Sequence, residues 1–223
     1  MASKPGERKL QILQTVAQML EQPKGEKITT AALAARLELS EAALYRHFAS
    51  KAQMFEGLIE FIEQTVFGLI NKITQEEKSG VNQVEEIVSL LLGFAQKNRG
   101  MTRVLIGDAL VNEDERLQQR INQLLDRIEA TLKQSLRMAA TQGEMGEAVG
   151  GKAQDMPVSG TGMPPSSPSR TAAARTVSGE DISAHANVLV CYVIGCWLLF
   201  AKSGFTRDPL EQWPAQRDIL LGK

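Results

Sequence analysis

The sequence predicts an all-α fold, a small three-helix head carrying a helix-turn-helix and, behind it, a larger helical body built for dimerisation. Three observations lead there. The stretch Ile28–Lys51 divides into two short helical segments separated by a tight turn. Apolar residues then recur at spacings of three and four along most of the chain, the period of a helix with one buried face. Finally, composition changes abruptly at Gly143 and the helical pattern resumes at Glu180.

In chain order, residues 1–6 read as a flexible arm whose Lys4 can follow a polyanion. Arg8 to Glu21 carries Leu10, Leu13, Val16, Ala17 and Leu20 at helical spacing, and Pro23 and Gly25 end it. Thr29 or Thr30 can cap the next helix, which holds Ala31, Leu33, Ala34 and Leu37. Ser40 can cap a second helix from Glu41 to Phe48, and Glu41 in its first turn suits the helix dipole. Two short helices joined so tightly describe a helix-turn-helix, whose second member enters the major groove. Ala42 and Ala43 let that helix approach base edges, while Leu44 and Phe48, four apart, face the core. Tyr45, Arg46, His47 and, one step on, Lys51 carry donors that can reach phosphates. Residues 7–51 therefore form the head, and the expected partner is double-stranded DNA.

Residues 52–142 form the body. Ser50 caps a long helix from Lys51 to about Glu77, with Met54, Phe55, Leu58, Ile62, Val66, Leu69, Ile70 and Ile73 along one stripe. Helices follow over about Asn82–Lys97, Met101–Leu110 and Glu113–Thr141, and the charged side of the last reads as a solvated face. From 143 to 179 Gly, Pro, Ser, Ala and Thr dominate, which predicts a disordered linker. Gly146, Gly151 and Lys152 imitate a phosphate loop there, but Ala153 stands where a magnesium-binding hydroxyl is needed. Glu180 to Lys202 is apolar nearly all round, and a short helix holding Trp213 follows it. Burial on both sides implies a second copy, with Leu189, Tyr192, Val193, Cys196, Trp197 and Phe200 as the expected dimer interface. A symmetric dimer with two reading heads predicts a palindromic site with half-sites about one helical turn apart.

Composition narrows the classes. The 223 residues are 43% hydrophobic with net charge −1, enough for a sizeable core. Up to Lys51 there are eight Lys/Arg against five Asp/Glu, so a mildly basic head precedes an acidic body. Cys191 and Cys196, five apart on one helix, point in different directions and read as core thiols of a cytoplasmic protein. The first residues, MASKPGERK, lack an apolar signal segment, and the apolar run Val188–Ala201 is short of the ~20 residues that span a bilayer, so no membrane partner is expected. His47 and His185 lie far apart, and Glu56, Glu60 and Glu63 share a helix face without a basic neighbour in sequence. Neither a catalytic set nor a metal site can be assembled, and no cofactor is called for.

The pattern Thr29, Leu33, Ala34, Leu39, Ser40, Leu44, Tyr45, His47, Phe48, Ser50 and Lys51 resembles the helix-turn-helix of the TetR family of bacterial regulators. Glu38 departs from it, since the family often has Gly in the turn. The resemblance implies that Tyr45, His47 and Lys51 bind phosphates and that Thr29, Thr30, Ser40, Ala42 and Ala43 line the DNA edge. Within that family the stretches MFEGLIEFIE, LLLGF and MTRVLIGDAL through ERLQQRINQLLDRIEA are similar to the nucleoid occlusion branch. That likeness implies a chromosome-bound factor that antagonises the division protein FtsZ, whose C-terminal tail would dock at Phe61, Leu69 and Lys97. Leu69 departs from a basic residue expected there. The other reading is a repressor released from DNA by a small molecule bound in the body.

Overall fold

A computed structural model describes residues 5–22, 28–145 and 178–222. Short polar side chains set most helix starts. Thr29, Ser40, Ser50, Ser79, Asp114 and Ser178 each accept a hydrogen bond from an amide of the first turn that follows, and Asp181 returns the bond at Ser178 as a capping box. The helices are α1 Pro5–Leu20, α2 Thr30–Arg36, α3 Glu41–Tyr45, α4 Lys51–Glu76, α5 Gly80–Lys97, α6 Arg99–Leu105, α7 Glu115–Gln142, α8 Gly179–Lys202 and α9 Trp213–Leu221. Pro23 and Gly25, Lys4, and the phosphate-loop imitation with most of the expected linker lie outside the described residues.

The boundaries move where packing overrides local signals. The expected helix over Met101–Leu110 splits, because Gly107 adopts a left-handed φ of 78° and only a 3₁₀ turn over Asp108–Leu110 follows. Gly80 and Gly100, which look like breaks, stand inside helices. A Cβ on Gly80 would lie 2.2 Å from the Ala139 nitrogen, so glycine lets the start of α5 abut α7. The end of α7 completes that joint, since Gln142 Oε1 and Glu144 Oε2 accept from the Gly80 and Val81 amides at 2.9 and 3.0 Å. Nearby, the buried Gln83 accepts from Ser135 at 2.8 Å and donates to the Glu77 carbonyl, tying α5 to α7 and to the end of α4.

Two routes join head and body. One is α4, whose buried stripe of Met54, Phe55, Leu58, Ile59, Ile62, Val66 and Ile70 packs on both. The other is α6. A Cβ on Gly100 would fall 1.9 Å from the Ala17 carbonyl oxygen, so α6 lies backbone to backbone on α1. Arg103 secures the contact by donating to the Leu20 and Gln22 carbonyls at 3.3 and 3.2 Å while pairing with Asp108 at 2.6 Å.

Three expectations need correction. The charged side of α7 is not wholly solvated: Arg120 makes a two-pronged pair with Glu63 at 3.1 and 2.8 Å, and the Arg127 guanidinium stacks 3.8 Å from the Phe67 ring. Glu63 thus has the basic partner that its own neighbourhood in sequence lacks. Cys191 is exposed and Cys196 half-buried, so only the second resembles a core thiol. On α8, Leu189, Val193, Trp197 and Phe200 are buried in the chain's own body, and the Trp197 indole donates to the Leu91 carbonyl at 3.0 Å. These four cannot face a partner. The apolar residues left outside are Val188, Leu198 and Leu199, with Cys191 among them. At 24 residues, with an 18-residue stretch of mean hydropathy 1.8, α8 is longer than its apolar run suggests and is long and apolar enough to cross a membrane.

Glu38 occupies the turn between α2 and α3 with φ 54°. A side chain in that left-handed region costs on the order of 1 kcal/mol, which glycine avoids. Glu38→Gly is therefore expected to raise stability by about that amount. A denaturant midpoint that does not rise in the variant would show that the turn carries no such strain.

Candidate functional site

The reading helix is held from both ends. Ser40 Oγ accepts the Ala43 amide at 3.1 Å, and the Thr30 hydroxyl donates to Glu41 Oε2 at 2.8 Å, linking the start of α2 to the start of α3. Leu44 and Phe48 are buried, as their spacing predicts, and the Lys9 ammonium stands 5.7 Å from the Phe48 ring centroid. The helix closes at Tyr45 rather than Phe48, with Arg46 as its C-cap. Ala42, Tyr45 and Arg46 are exposed, while Ala43 and His47 are half-buried. Small residues early in the helix and donors at its end therefore share one outer edge. Thr29 serves as the cap of α2, accepting from the Ala32 amide at 3.1 Å.

Lys51 behaves differently from expectation. Its ammonium pairs with the Glu113 carboxylate and lies 5.7 Å from the Phe55 ring, so it is turned toward the body. The loop before α7 supplies that anion, 62 residues away in sequence, and no local signal could have announced it. The Thr30–Glu41 bond was likewise invisible, although both residues are plain in the sequence. Tyr45 remains the clearest phosphate donor, being 45% exposed. Tyr45→Ala is expected to weaken binding to every duplex by a similar factor, about tenfold for one hydrogen bond to a charged group. Anisotropy titrations on matched and unmatched duplexes check this, and a loss confined to one sequence would move Tyr45 from backbone to base contact.

A second site lies on the body, where α4 and α5 leave an open groove of about 690 Å³. Phe61, Leu69 and Lys97 all line it, with Leu90 and Phe94 adding apolar wall and Leu210 closing one side. Leu58, Ile62 and Val66 form the buried side of α4, which leaves Phe61 half-buried and turned to the groove. Leu69 is 43% exposed, an unusual setting for leucine on a helix already provided with a core face.

Among the described residues no group of three or more His, Cys, Asp or Glu stands ready to hold a metal ion. His185 Nε2 lies 2.6 Å from the Leu220 carbonyl and ties α8 to the end of α9. Burial raises the Tyr192 phenol and the Cys196 thiol above their ordinary ranges, so both stay protonated near neutrality. The bonds that Arg120 donates to Glu63 raise its guanidinium above its ordinary range, fixing it as a cation.

Comparison with known proteins bears on both sites. Residues 18–58 match the family of bacterial regulatory proteins, tetR family, and residues 78–150 match a tetracyclin repressor-like C-terminal domain of SlmA-like type. The chain is 43% identical to the nucleoid occlusion factor SlmA of Marinomonas sp., over 99% of this chain and 96% of that one. It is 44% identical to the SlmA of Alteromonas mediterranea, over 96% and 94%. With the SlmA of Vibrio cholerae the identity reaches 56%, over 58% of this chain and 67% of the relative. Among solved structures, a TetR transcription regulator from Haloarcula marismortui superposes with TM-score 0.69 at 13% identity, covering 97% of each chain. FadR from Bacillus subtilis, in complex with stearoyl-CoA, gives 0.66 at 12% identity, covering 95% of this chain and 97% of that one. These structures share the fold.

Proposed function

The chain belongs to the TetR family, in its nucleoid occlusion branch, and from that premise we propose that it binds palindromic chromosomal sites as a homodimer and, so placed, antagonises FtsZ polymerisation. The carrying observation is the groove between α4 and α5, where Phe61, Leu69 and Lys97 meet although they come from two helices. An aromatic anchor beside a cation suits a short, partly acidic peptide such as the tail of FtsZ. The exposed edge of α3, with Ala42 toward the bases and Tyr45 and Arg46 toward the phosphates, supports the DNA half of the reading. Relatives named nucleoid occlusion factors over nearly the whole chain favour this over a repressor released by a small molecule.

The dimer uses the outer face of α8, which of the six residues the sequence singles out includes only Tyr192 and Cys196. Val188, Leu198 and Leu199 are exposed apolar side chains along that face, with Tyr192 and Cys196 at its margin. A second copy covering them would bury α8 on both sides and remove it from any lipid. The protein then works in the cytoplasm on the nucleoid.

Pelleting FtsZ polymers with the chain, with and without a palindromic duplex, tests the proposal. Less polymer in the presence of the duplex is expected, with no effect on FtsZ lacking its tail. Polymer mass unchanged under both conditions would overturn it. In the same preparation Leu198→Glu should convert the dimer to a monomer in light scattering and reduce duplex affinity.

A further inference from the structure

We propose that Glu41 reads a cytosine in each half-site and that Thr30 is the positioning residue that aims it. This rests on α3 being the helix that enters the major groove, and adds which base its first residue selects. Glu41 opens α3 and Tyr45 stands four residues on, along the same edge; both are exposed, while Leu44 is buried behind them. A helix that reads bases presents the residues of its first turn to their edges. The edge that brings Tyr45 to a phosphate therefore brings a carboxylate toward the floor of the groove.

A carboxylate in that place is a liability unless it is used. The phosphates of every duplex repel it, and among the described residues no cation pairs with it to cancel the charge. Oε2 accepts from the Thr30 hydroxyl at 2.8 Å, which fixes the side chain across the gap between α2 and α3 and leaves Oε1 to accept from elsewhere. An oriented acceptor needs a donor. The major groove offers two kinds, the amino groups of cytosine and adenine, whereas guanine and thymine turn only acceptors toward it. The two amino groups differ in their neighbours. Adenine N6 lies between its own N7 and the O4 of the paired thymine, both acceptors, while cytosine N4 has guanine O6 on one side and a C–H on the other. A negative charge thus favours cytosine over adenine and rejects guanine and thymine. Ala42, next to it and exposed, is small enough to let the carboxylate come within reach. A carboxylate in the first turn also suits the helix dipole, but that effect is indifferent to base sequence.

The test selects duplexes from a pool with randomised arms about a two-fold centre, using the full-length chain, and titrates the selected duplexes by anisotropy. Wild type should return one position per half-site at which cytosine predominates, with affinity about tenfold above the same duplex carrying thymine there. Glu41→Ala should lose that preference, keep those at neighbouring positions, and bind unrelated duplexes as well as wild type or better, since a like charge has gone. Glu41→Gln should move the preference to adenine, whose N6 and N7 an amide meets together. Thr30→Val leaves the carboxylate in place but unaimed and should cut the cytosine preference to about threefold, the loss of one ordinary hydrogen bond. Thr30→Ser should restore it. Melting curves report which variants fold, and the Thr30 variants carry the test should Glu41→Ala fail to do so. A cytosine preference unchanged in Glu41→Ala and Glu41→Gln, or a fall in affinity shared by all sequences, would overturn the assignment and leave Glu41 as a residue of the helix start. Wild type that binds no duplex at low ionic strength would bring down the DNA reading and this inference with it. Wild type that selects a palindrome with no such cytosine would bring down this inference alone.

Discussion

Replacing Phe61 with Ala is expected to abolish antagonism of FtsZ while leaving duplex affinity within about twofold. An aromatic anchor at the centre of a small peptide site commonly carries about 2–4 kcal/mol, a loss of roughly 30- to 1,000-fold in affinity. The side chain is half-buried on the groove side of α4, away from the fully buried Leu58 and Ile62, so its removal should lower stability far less than a core truncation would. Peptide titration, polymer pelleting and thermal melting on one preparation separate these effects. Loss of peptide and duplex binding together, with a large fall in melting temperature, would mark Phe61 as part of the core.

Gly100→Ala should have the largest effect on the DNA side. The added carbon would stand 1.9 Å from the Ala17 oxygen and 3.1 Å from Leu20 Cβ, and the first of these is backbone that cannot rotate away. Either α6 or α1 must shift by more than 1 Å, and overpacking of this kind costs about 1–3 kcal/mol or more. Because α1 belongs to the head and α6 to the body, the strain tilts one against the other. Duplex affinity of the dimer is expected to fall by at least tenfold, more than the peptide affinity of the groove, although Lys97 at its edge lies only three residues from Gly100. Equal affinity to wild type in both assays would show that the contact is slack.

What could be read in advance was local. The caps at Ser40 and Ser50 and most of the apolar stripe of α4 each depend on residues within a turn or two of one another, and the structure reproduces them, save that Leu69 of the expected stripe is exposed and Ile73 half-buried. The groove residues were nameable only through resemblance, since nothing in the spacing of Phe61 and Lys97 brings α4 beside α5. The face of α8 was misjudged for a physical reason. A helix apolar nearly all round has no periodic contrast to say which side meets its own body, and Leu189 and Val188 look alike until Trp197 is seen bonded to Leu91. Gly80 and Gly100 fall just outside the helices expected over Asn82–Lys97 and Met101–Leu110, yet stand in them, because the signal of a helix break and the signal of two backbones touching are the same letter. Lys51–Glu113 and Arg120–Glu63 join residues about sixty positions apart and leave no trace in composition.

The Lys51–Glu113 pair changes how ionic strength should act on the head. The condensed ions lie along the phosphates, and a lysine moved from the Glu113 carboxylate to a phosphate leaves that carboxylate exposed beside the duplex, so the pair brings no net positive charge. The swap liberates almost no small ions overall, so the steepness with which added salt loosens the complex will track unneutralised cations such as Arg46 and fall short of the number of basic residues near the duplex.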